Sequence, residues 1–222
     1  MKKYLTNRSL ANLRCKFSRA AVIAKNQNRL MSSFDSLFDQ YKDERALALK
    51  LMMLTGLRVG NIESALGYQT KVHPMLQKKG VKSVFRQTFG LTTLEKRHVH
   101  LRKGKIVFDF LGKKGVQQKV VIEDKKTVDQ CRVQLKKKGE TFLGVHDCCL
   151  RKFVKKTLGD RFTVKDFRTY FANLVATEEI LRYEGVPKKL ERTVCVAVAS
   201  KLGNTPSISK KAYIDPKIFT NF

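Results

Sequence analysis

The chain has 222 residues, of which 42% are hydrophobic, so it is long enough to bury one substantial core or two smaller ones. It carries 46 Lys and Arg against 19 Asp and Glu, and a formal net charge of +27 favours a polyanionic partner, with nucleic acid ahead of anionic membrane surfaces or acidic proteins. No uncharged apolar run of about 18 residues occurs, and the basic start lacks the apolar stretch of a secretory signal, so membrane spanning and export are not expected.

The first part of the chain has the periodicity of helices. Between residues 7 and 41, apolar residues recur at spacings of three and four without proline, which predicts an N-terminal helical segment over residues 1–42. Residues 43–57 are apolar on nearly all sides, which is typical of a buried core helix, and they open a predicted helical lobe over residues 43–96. Within this lobe, residues 67–90 are rich in Gly, Lys and Gln and are predicted to form an irregular connection available to touch DNA.

A change of period predicts a small sheet over residues 97–123. Alternating and β-branched stretches are separated by Lys-Gly turns at 103–104 and 114–115. Short turns join neighbouring strands, so the sheet should be a three-stranded antiparallel meander. The predicted strands cover residues 98–101, 105–111 and 117–122.

The helical period returns over residues 124–222, with glycines between the periodic stretches. The fold class is therefore α+β, predominantly α-helical, with one small antiparallel sheet, and the chain is predicted to be a single domain. The predicted helices of this last lobe cover residues 124–138, 146–158, 164–183 and 188–202.

Metal and disulfide chemistry finds little support in the sequence. The five cysteines are odd in number and form no CxxC pair, so neither a disulfide framework nor a zinc site is expected. The alternation of His98 and His100 could place two imidazoles on one strand face, but no further ligand accompanies them. Reduced thiols fit a cytoplasmic (bacterial nucleoid), nuclear or virion interior.

Nucleotide-driven and metal-driven catalysis also lack their usual motifs. The chain has no GxxxxGK[ST] loop and no paired-carboxylate cluster, so no cofactor, ATP or metal is expected. Phosphoryl transfer can still proceed if the protein supplies a nucleophile, positive charge for the phosphate oxygens and an acid for the leaving alkoxide. Four segments offer these groups: Thr55–Asn61, Phe110–Gly115, Phe162–Thr169 and Leu202–Tyr213.

Read in this order, the four segments resemble the catalytic domain of the type IB DNA topoisomerases, above all the compact bacterial and poxvirus-like members. They resemble the related tyrosine recombinases less closely. The resemblance covers residues 43–218 and includes Phe89–Leu94, which is similar to the stretch that enters the family's catalytic sheet. It implies the shared fold of these enzymes, a helical domain with a small sheet.

The resemblance assigns roles to five residues. Tyr213 matches the nucleophile, which forms a 3′-phosphotyrosyl link and releases a 5′-hydroxyl. Arg58 and Arg168 match the arginines that hold the nonbridging oxygens. Lys113 matches the general acid. An ammonium suits that role, because its pKa is closer to that of an alcohol than the pKa of a carboxylic acid is. Asn204 stands where poxvirus-like and nuclear enzymes carry His; bacterial members resemble this chain in carrying Asn, and the amide can donate one hydrogen bond but no proton.

Other polar residues of the four segments are expected to contact DNA. Lys165 stands where many tyrosine recombinases have the His of an HxxR pattern, which favours a topoisomerase, and it is expected to contact phosphate near the cut. The further predicted DNA contacts are Asn61, Lys114, Thr205, Ser207, Lys210 and Lys211.

Each of these residues taken alone has a plainer interpretation. Arg58 could cap the C-terminus of a core helix, and Lys113 in a hairpin turn could be solvated surface charge. Tyr213 alone could be a surface tyrosine at a helix end. Tyr170 provides a comparison, because its apolar neighbours favour core packing.

The implied activity is the relaxation of supercoiled duplex DNA by a monomer that is virus-encoded or bacterial and not secreted. Two alternatives remain open: a site-specific tyrosine recombinase, and a basic architectural DNA-binding protein that is catalytically silent. Family members usually have a small N-terminal clamp domain, and nothing before residue 43 looks like it, so this domain is expected to be absent.

Overall fold

The computed structural model describes residues 31–71 and 83–219, which divide into two compact units. The sheet unit comprises Tyr41–Val164, and the helical unit combines residues 31–40 with residues 165–219. The predicted boundaries at residues 43, 97 and 124 mark changes of secondary structure, whereas the units are separated at residues 41 and 165.

The sheet unit contains helices and two small antiparallel sheets. Its helices are α2 (Glu44–Thr55), α3 (Ile62–Leu66), α4 (Lys125–Lys136) and α5 (Asp147–Leu158). Its strands are β1 (Tyr68–Lys71), β2 (Ser83–Arg86), β3 (Val99–Arg102), β4 (Lys105–Gly112) and β5 (Val116–Ile122).

Helix α2 confirms the predicted core helix and ends where the sequence indicates. The Asp43 side chain accepts hydrogen bonds from the backbone N–H groups of Arg45 and Ala46 and so caps the N-terminus. Gly56 adopts the left-handed conformation with φ 65° and closes the C-terminus. Most of the residues between these caps are buried, including Leu49 and Leu51 with no exposed surface.

The predicted three-stranded meander is confirmed, with strand order β3-β4-β5. In β4 the side chains alternate, and Ile106, Phe108 and Phe110 are buried while their neighbours are half-buried or exposed. Because side chains along a strand point alternately to its two faces, β4 gives the sheet one apolar face. The turn between β4 and β5, residues 113–115, presents two lysines at one end of the sheet.

The expectation of an irregular connection over residues 67–90 is wrong at residues 68–71 and 83–86, which form strands, and residues 72–82 lie outside the described ranges. Strands β1 and β2 pair in antiparallel register, with Tyr68 opposite Arg86. Each strand has only four residues, and most of their side chains are exposed, so no alternation of buried apolar residues indicates them in the sequence.

The predicted helix over residues 7–41 is helical at 31–40, and its residues 7–30 lie outside the described ranges.

The helical unit contains α1 (residues 31–40), α6 (which begins at Val164 in the sheet unit and runs to Arg182), α7 (Pro187–Leu202) and α8 (Pro206–Ala212). The Phe34 ring stacks on Phe167 with centroids 4.1 Å apart, which joins α1 to α6. Buried apolar residues of α6 and α7 form a core with the segment after α8, and this core includes Tyr213 and Ile214. Helices α6 and α7 confirm the sequence prediction.

Four cysteines lie in the described ranges, and all are free thiols. Cys131 and Cys195 are buried, whereas Cys148 and Cys149 are exposed. Burial raises the pKa of the Cys131 thiol to about 12, so this sulfur is a poor nucleophile at neutral pH. Across the two described ranges, no helix combines the length and the apolar character needed to cross a membrane.

Candidate active site

Tyr213 lies at the end of a short helix that fixes its backbone. Thr205 caps the start of α8, Pro206 occupies its first turn, and Tyr213 itself is the C-cap residue. The backbone N–H groups of Tyr213 and Ile214 both donate to the Ser209 carbonyl, at 3.2 and 3.1 Å. The end of α8 therefore holds the backbone of Tyr213, the predicted nucleophile. Tyr213 is itself buried, with only 8% of its surface exposed.

Two cationic side chains lie close to the Tyr213 ring. The Arg168 guanidinium carbon lies 5.3 Å from the ring centroid, and the Lys165 Nζ lies 5.0 Å from it. Both residues are on α6, one turn apart, so one helix delivers both charges. The arrangement places a phenol beside two groups that attract the negative charge of a phosphate.

Arg168 is buried, with 3% of its surface exposed, and it is oriented by a second helix. Its Nη2 donates to the carbonyl oxygen of Leu202, the last residue of α7, at 2.7 Å. A cation at a helix C-terminus satisfies a carbonyl that has no partner within the helix and is favoured by the helix dipole. The α7 terminus therefore fixes the direction of the guanidinium.

Asn204 lies two residues after the carbonyl that Arg168 binds. Gly203 takes the left-handed conformation with φ 60°, and the Asn204 backbone N–H donates to Ala199 at 3.0 Å, which closes α7. The chain turns sharply here and brings Asn204 back toward the end of α7. Within the helical unit, Lys165 and Arg168 lie beside the Tyr213 ring, and Arg168 also binds the carbonyl two residues before Asn204.

Asn173 is a residue of this site that the sequence analysis missed. Its Nδ2 donates to the Tyr213 carbonyl at 2.9 Å, and its Oδ1 accepts from the Asp215 backbone N–H at 2.9 Å. A second hydrogen bond from Nδ2 reaches Thr169, one turn earlier on α6. One side chain therefore holds the backbone on both sides of Ile214, immediately after Tyr213.

Replacing Asn173 by Ala should slow the chemistry of Tyr213 while leaving DNA affinity nearly unchanged. The variant removes the hydrogen bonds to the Tyr213 carbonyl and the Asp215 N–H. A displacement of about 1 Å can reduce a rate by up to about 100-fold. Single-turnover adduct formation and equilibrium DNA binding, measured side by side, separate the two effects.

Thr177→Ala provides a matched control for Asn173→Ala. Thr177 lies on the same helix, and its hydroxyl donates to the Asn173 carbonyl at 2.8 Å, within the helix. If both variants lose the same fraction of the adduct-forming rate, Asn173 has no special relation to Tyr213.

Arg58 belongs to the sheet unit, on the loop after α2. Its carbonyl accepts from the Leu91 N–H at 2.8 Å, and the next carbonyl, that of Val59, accepts from the Thr92 N–H at 2.7 Å. These contacts require Gly90, because a Cβ at this position would lie 2.5 Å from the Gly60 Cα and 2.9 Å from the Arg58 oxygen. The Arg58 loop is thus fixed against the segment that leads into the three-stranded sheet.

Lys113 lies in the turn that joins β4 to β5, and its side chain is exposed. Lys114 follows with φ 64° and Gly115 with φ 73°, so two successive residues take the left-handed conformation. The Arg86 Nη1 donates to the Lys114 carbonyl at 3.3 Å. This placement confirms that a lysine stands at the tip of the sheet, while its role remains a prediction.

Three of the remaining residues predicted to contact DNA also bind groups within the protein through their side chains. Asn61 and Thr205 use their side-chain oxygens as helix caps, accepting from Glu63 at 2.7 Å and Ile208 at 3.3 Å. Lys210 pairs with Glu191 at 2.6 Å, which raises the pKa of the Lys210 ammonium. The other three are exposed: Lys114, Ser207 and Lys211.

Two other side chains have structural roles. Tyr170 packs in the core as predicted, 7% exposed, and burial raises the pKa of its phenol. His98 precedes β3, where its Nδ1 accepts from the Glu95 N–H at 3.1 Å, so the interpretation of His98 and His100 as one strand face is wrong. Within the two described ranges, no group of three or more His, Cys, Asp or Glu is arranged to hold a metal ion.

Comparison with known proteins shows the family of the chain. The family model for the catalytic core of eukaryotic DNA topoisomerase I matches residues 2–217. The chain belongs to this family.

Viral members of the family share moderate sequence identity with the chain. DNA topoisomerase 1B of Acanthamoeba polyphaga mimivirus is 26% identical over 225 residues, covering 90% of this chain and 62% of the relative. DNA topoisomerase 1B of vaccinia virus (strain Copenhagen) is 29% identical over 143 residues, covering 58% of this chain and 43% of the relative. The chain thus spans less than two thirds of the length of these relatives.

A solved structure shows the shared fold. The XerH site-specific recombinase, bound to its difH substrate in a pre-cleavage complex, superposes with a TM-score of 0.53 at 14% identity. The match covers 88% of this chain and 50% of the recombinase. The predicted fold class, a helical catalytic domain with a small antiparallel sheet like that of the tyrosine recombinases and type IB topoisomerases, is confirmed.

Proposed function

We propose that the chain is a type IB DNA topoisomerase that relaxes supercoiled duplex DNA as a monomer, without ATP or a metal ion. The observation that carries the proposal is the placement of Tyr213 beside Arg168 and Lys165, 5.3 and 5.0 Å from its ring. The family match and the net charge of +27 support DNA as the partner. The proposal includes a cytoplasmic or virion location and no export.

In the proposed reaction, the Tyr213 phenol oxygen attacks a backbone phosphorus and displaces the 5′ oxygen. The new bond joins the 3′ phosphate to tyrosine, and the phenol loses its proton as the bond forms. Arg58 and Arg168 donate to the nonbridging oxygens, and Asn204 adds one further hydrogen bond. The five side chains, those of residues 58, 113, 168, 204 and 213, act on one phosphate.

Lys113 donates the proton that the leaving 5′ oxygen needs. The broken strand then turns about the intact one, driven by the torsional strain of the substrate. The phosphotyrosine keeps the energy of the broken bond, so the 5′-hydroxyl attacks it and restores the backbone by the same steps in reverse. No nucleotide is consumed, which fits the absence of a GxxxxGK[ST] motif in the sequence.

Plasmid relaxation tests this proposal directly. The protein is mixed with a supercoiled plasmid in the presence of a metal chelator and without ATP, across a range of salt concentrations. We expect relaxed topoisomers with the chain and none with the Tyr213→Phe variant. Because phosphate contacts release counterions, binding should weaken steeply as salt rises.

Two other outcomes, with cleavage and binding of the same DNA measured alongside relaxation, decide against the proposal. No relaxation at any salt concentration, together with cleavage only at one particular DNA sequence, favours a site-specific recombinase. Binding without cleavage, unchanged in the Tyr213→Phe variant, favours a catalytically silent architectural protein.

A further inference from the structure

The backbone conformation of the turn that carries Lys113 is unfavourable by itself. Lys114 has φ 64°, a conformation that costs a residue with a Cβ roughly 1 kcal/mol or more, and Gly115 follows at φ 73°. Lys113 and Lys114 are both exposed, adjacent and positively charged, so they repel each other. Such a conformation persists only where neighbouring groups impose it.

Arg86 supplies this support from a separate hairpin, 28 residues away in the sequence. Its Nη1 donates to the Lys114 carbonyl at 3.3 Å. Its guanidinium also lies against Gly115, because a Cβ at that position would be 2.1 Å from Nη1 and 2.9 Å from Cζ. Gly115 is therefore needed both for its backbone conformation and for the space that Arg86 fills.

The segment that follows Arg86 supports the base of the same turn. The Phe89 N–H donates to the Leu111 carbonyl at 2.8 Å, two residues before Lys113. Arg86 thus holds the backbone immediately after Lys113, and Phe89 holds the backbone two residues before it. Arg86 itself is half-buried and anchored at the end of β2, opposite Tyr68.

We propose that Arg86 is a positioning residue for Lys113, fixing the 113–115 turn so that the Lys113 ammonium meets the leaving oxygen. The inference rests on the proposed function, since it assigns Arg86 to the step in which Lys113 donates a proton. Arg86 then contributes nothing to the attack by Tyr213. Its whole effect is exerted through the departure of the 5′ oxygen.

A substrate with a 5′-bridging sulfur separates this role from a merely structural one. A thiolate leaves without protonation, so the substrate does not need a general acid. We expect Arg86→Ala to slow single-turnover cleavage of ordinary DNA by about 10- to 100-fold, the scale of a displaced catalytic group. On the sulfur-bridged substrate, the variant should cleave at nearly the rate of the unmodified protein.

Two further variants sharpen the result. Lys113→Ala should show the same rescue, and adding Arg86→Ala to it should slow ordinary cleavage no further, because both changes remove one function. Arg102→Ala removes one exposed positive charge from the end of β3, at the opposite end of the sheet, and should leave cleavage of both substrates nearly unaffected.

Equal loss on both substrates in Arg86→Ala, with Lys113→Ala rescued, overturns the positioning role and leaves the proposed function intact. If the unmodified protein forms no adduct with either substrate, the proposed function itself fails. Should Arg86→Ala prove unstable in thermal unfolding, Arg86→Lys keeps the charge but loses the planar guanidinium. The Lys variant is expected to show a smaller loss on ordinary DNA and the same rescue, and an unrescued loss again contradicts the proposal.

Discussion

Replacing Tyr213 by Phe is expected to abolish the covalent protein–DNA adduct and all plasmid relaxation. The change removes only the attacking oxygen, while the ring that lies beside Lys165 and Arg168 remains in place. DNA affinity should therefore stay close to that of the unmodified protein. Adduct formation is measured as labelled DNA that stays with the protein after denaturation, and affinity by titration of the same labelled duplex.

Tyr183→Phe is the matched control for Tyr213→Phe. The Tyr183 hydroxyl donates to the Val186 carbonyl at 2.8 Å, in the turn before α7, and it has no place in the proposed reaction. The control should form the adduct at the normal rate. Adduct formation by Tyr213→Phe, or a collapse of its DNA affinity, contradicts the role given to Tyr213.

Replacing Arg168 by Ala is expected to reduce the rate of adduct formation by about 10²- to 10³-fold, the scale seen when an enzyme loses one hydrogen-bond donor to a developing negative charge. Arg168→Lys should recover only part of this loss, because an ammonium cannot make the paired contacts of a guanidinium. The measurement is single-turnover cleavage at saturating protein, so that weaker binding does not enter the rate.

The Arg168 variants also need a test of folding. The guanidinium is 3% exposed and its hydrogen bond to Leu202 is lost in the Ala variant, which should lower the free energy of unfolding by about 1–3 kcal/mol. Arg182→Ala, on an exposed part of the same helix, controls for the loss of one charge. Cleavage by folded Arg168→Ala at the unmodified rate contradicts the proposed role.

The regular parts of the fold could be predicted because their signals are local. Apolar period and flanking glycines indicate α2, α6 and α7, and alternation with short turns indicates the three-stranded sheet. Helix α8 was not predicted, although Thr205 followed by Pro206 is a readable start signal. Strands β1 and β2 lack a buried apolar face, so no local pattern indicates them.

The candidate site shows the same division between local and distant signals. The residues of the catalytic motifs could be assigned because the motifs occur in a recognisable order along the chain. Asn173 could not, because its hydrogen bonds reach backbone groups 40 and 42 residues away and no local pattern predicts them. Arg86 was missed for the same reason, since its partner is the carbonyl of Lys114, 28 residues away.

The identity of the residue that becomes bonded to DNA tests the proposed function most directly. The adduct is trapped by denaturation, digested with nuclease and trypsin, and the peptides are weighed by mass spectrometry. We expect a nucleotide remnant on the peptide Ala212–Lys217, attached through Tyr213. A remnant on any other peptide, or no remnant while plasmid DNA is still relaxed, contradicts it.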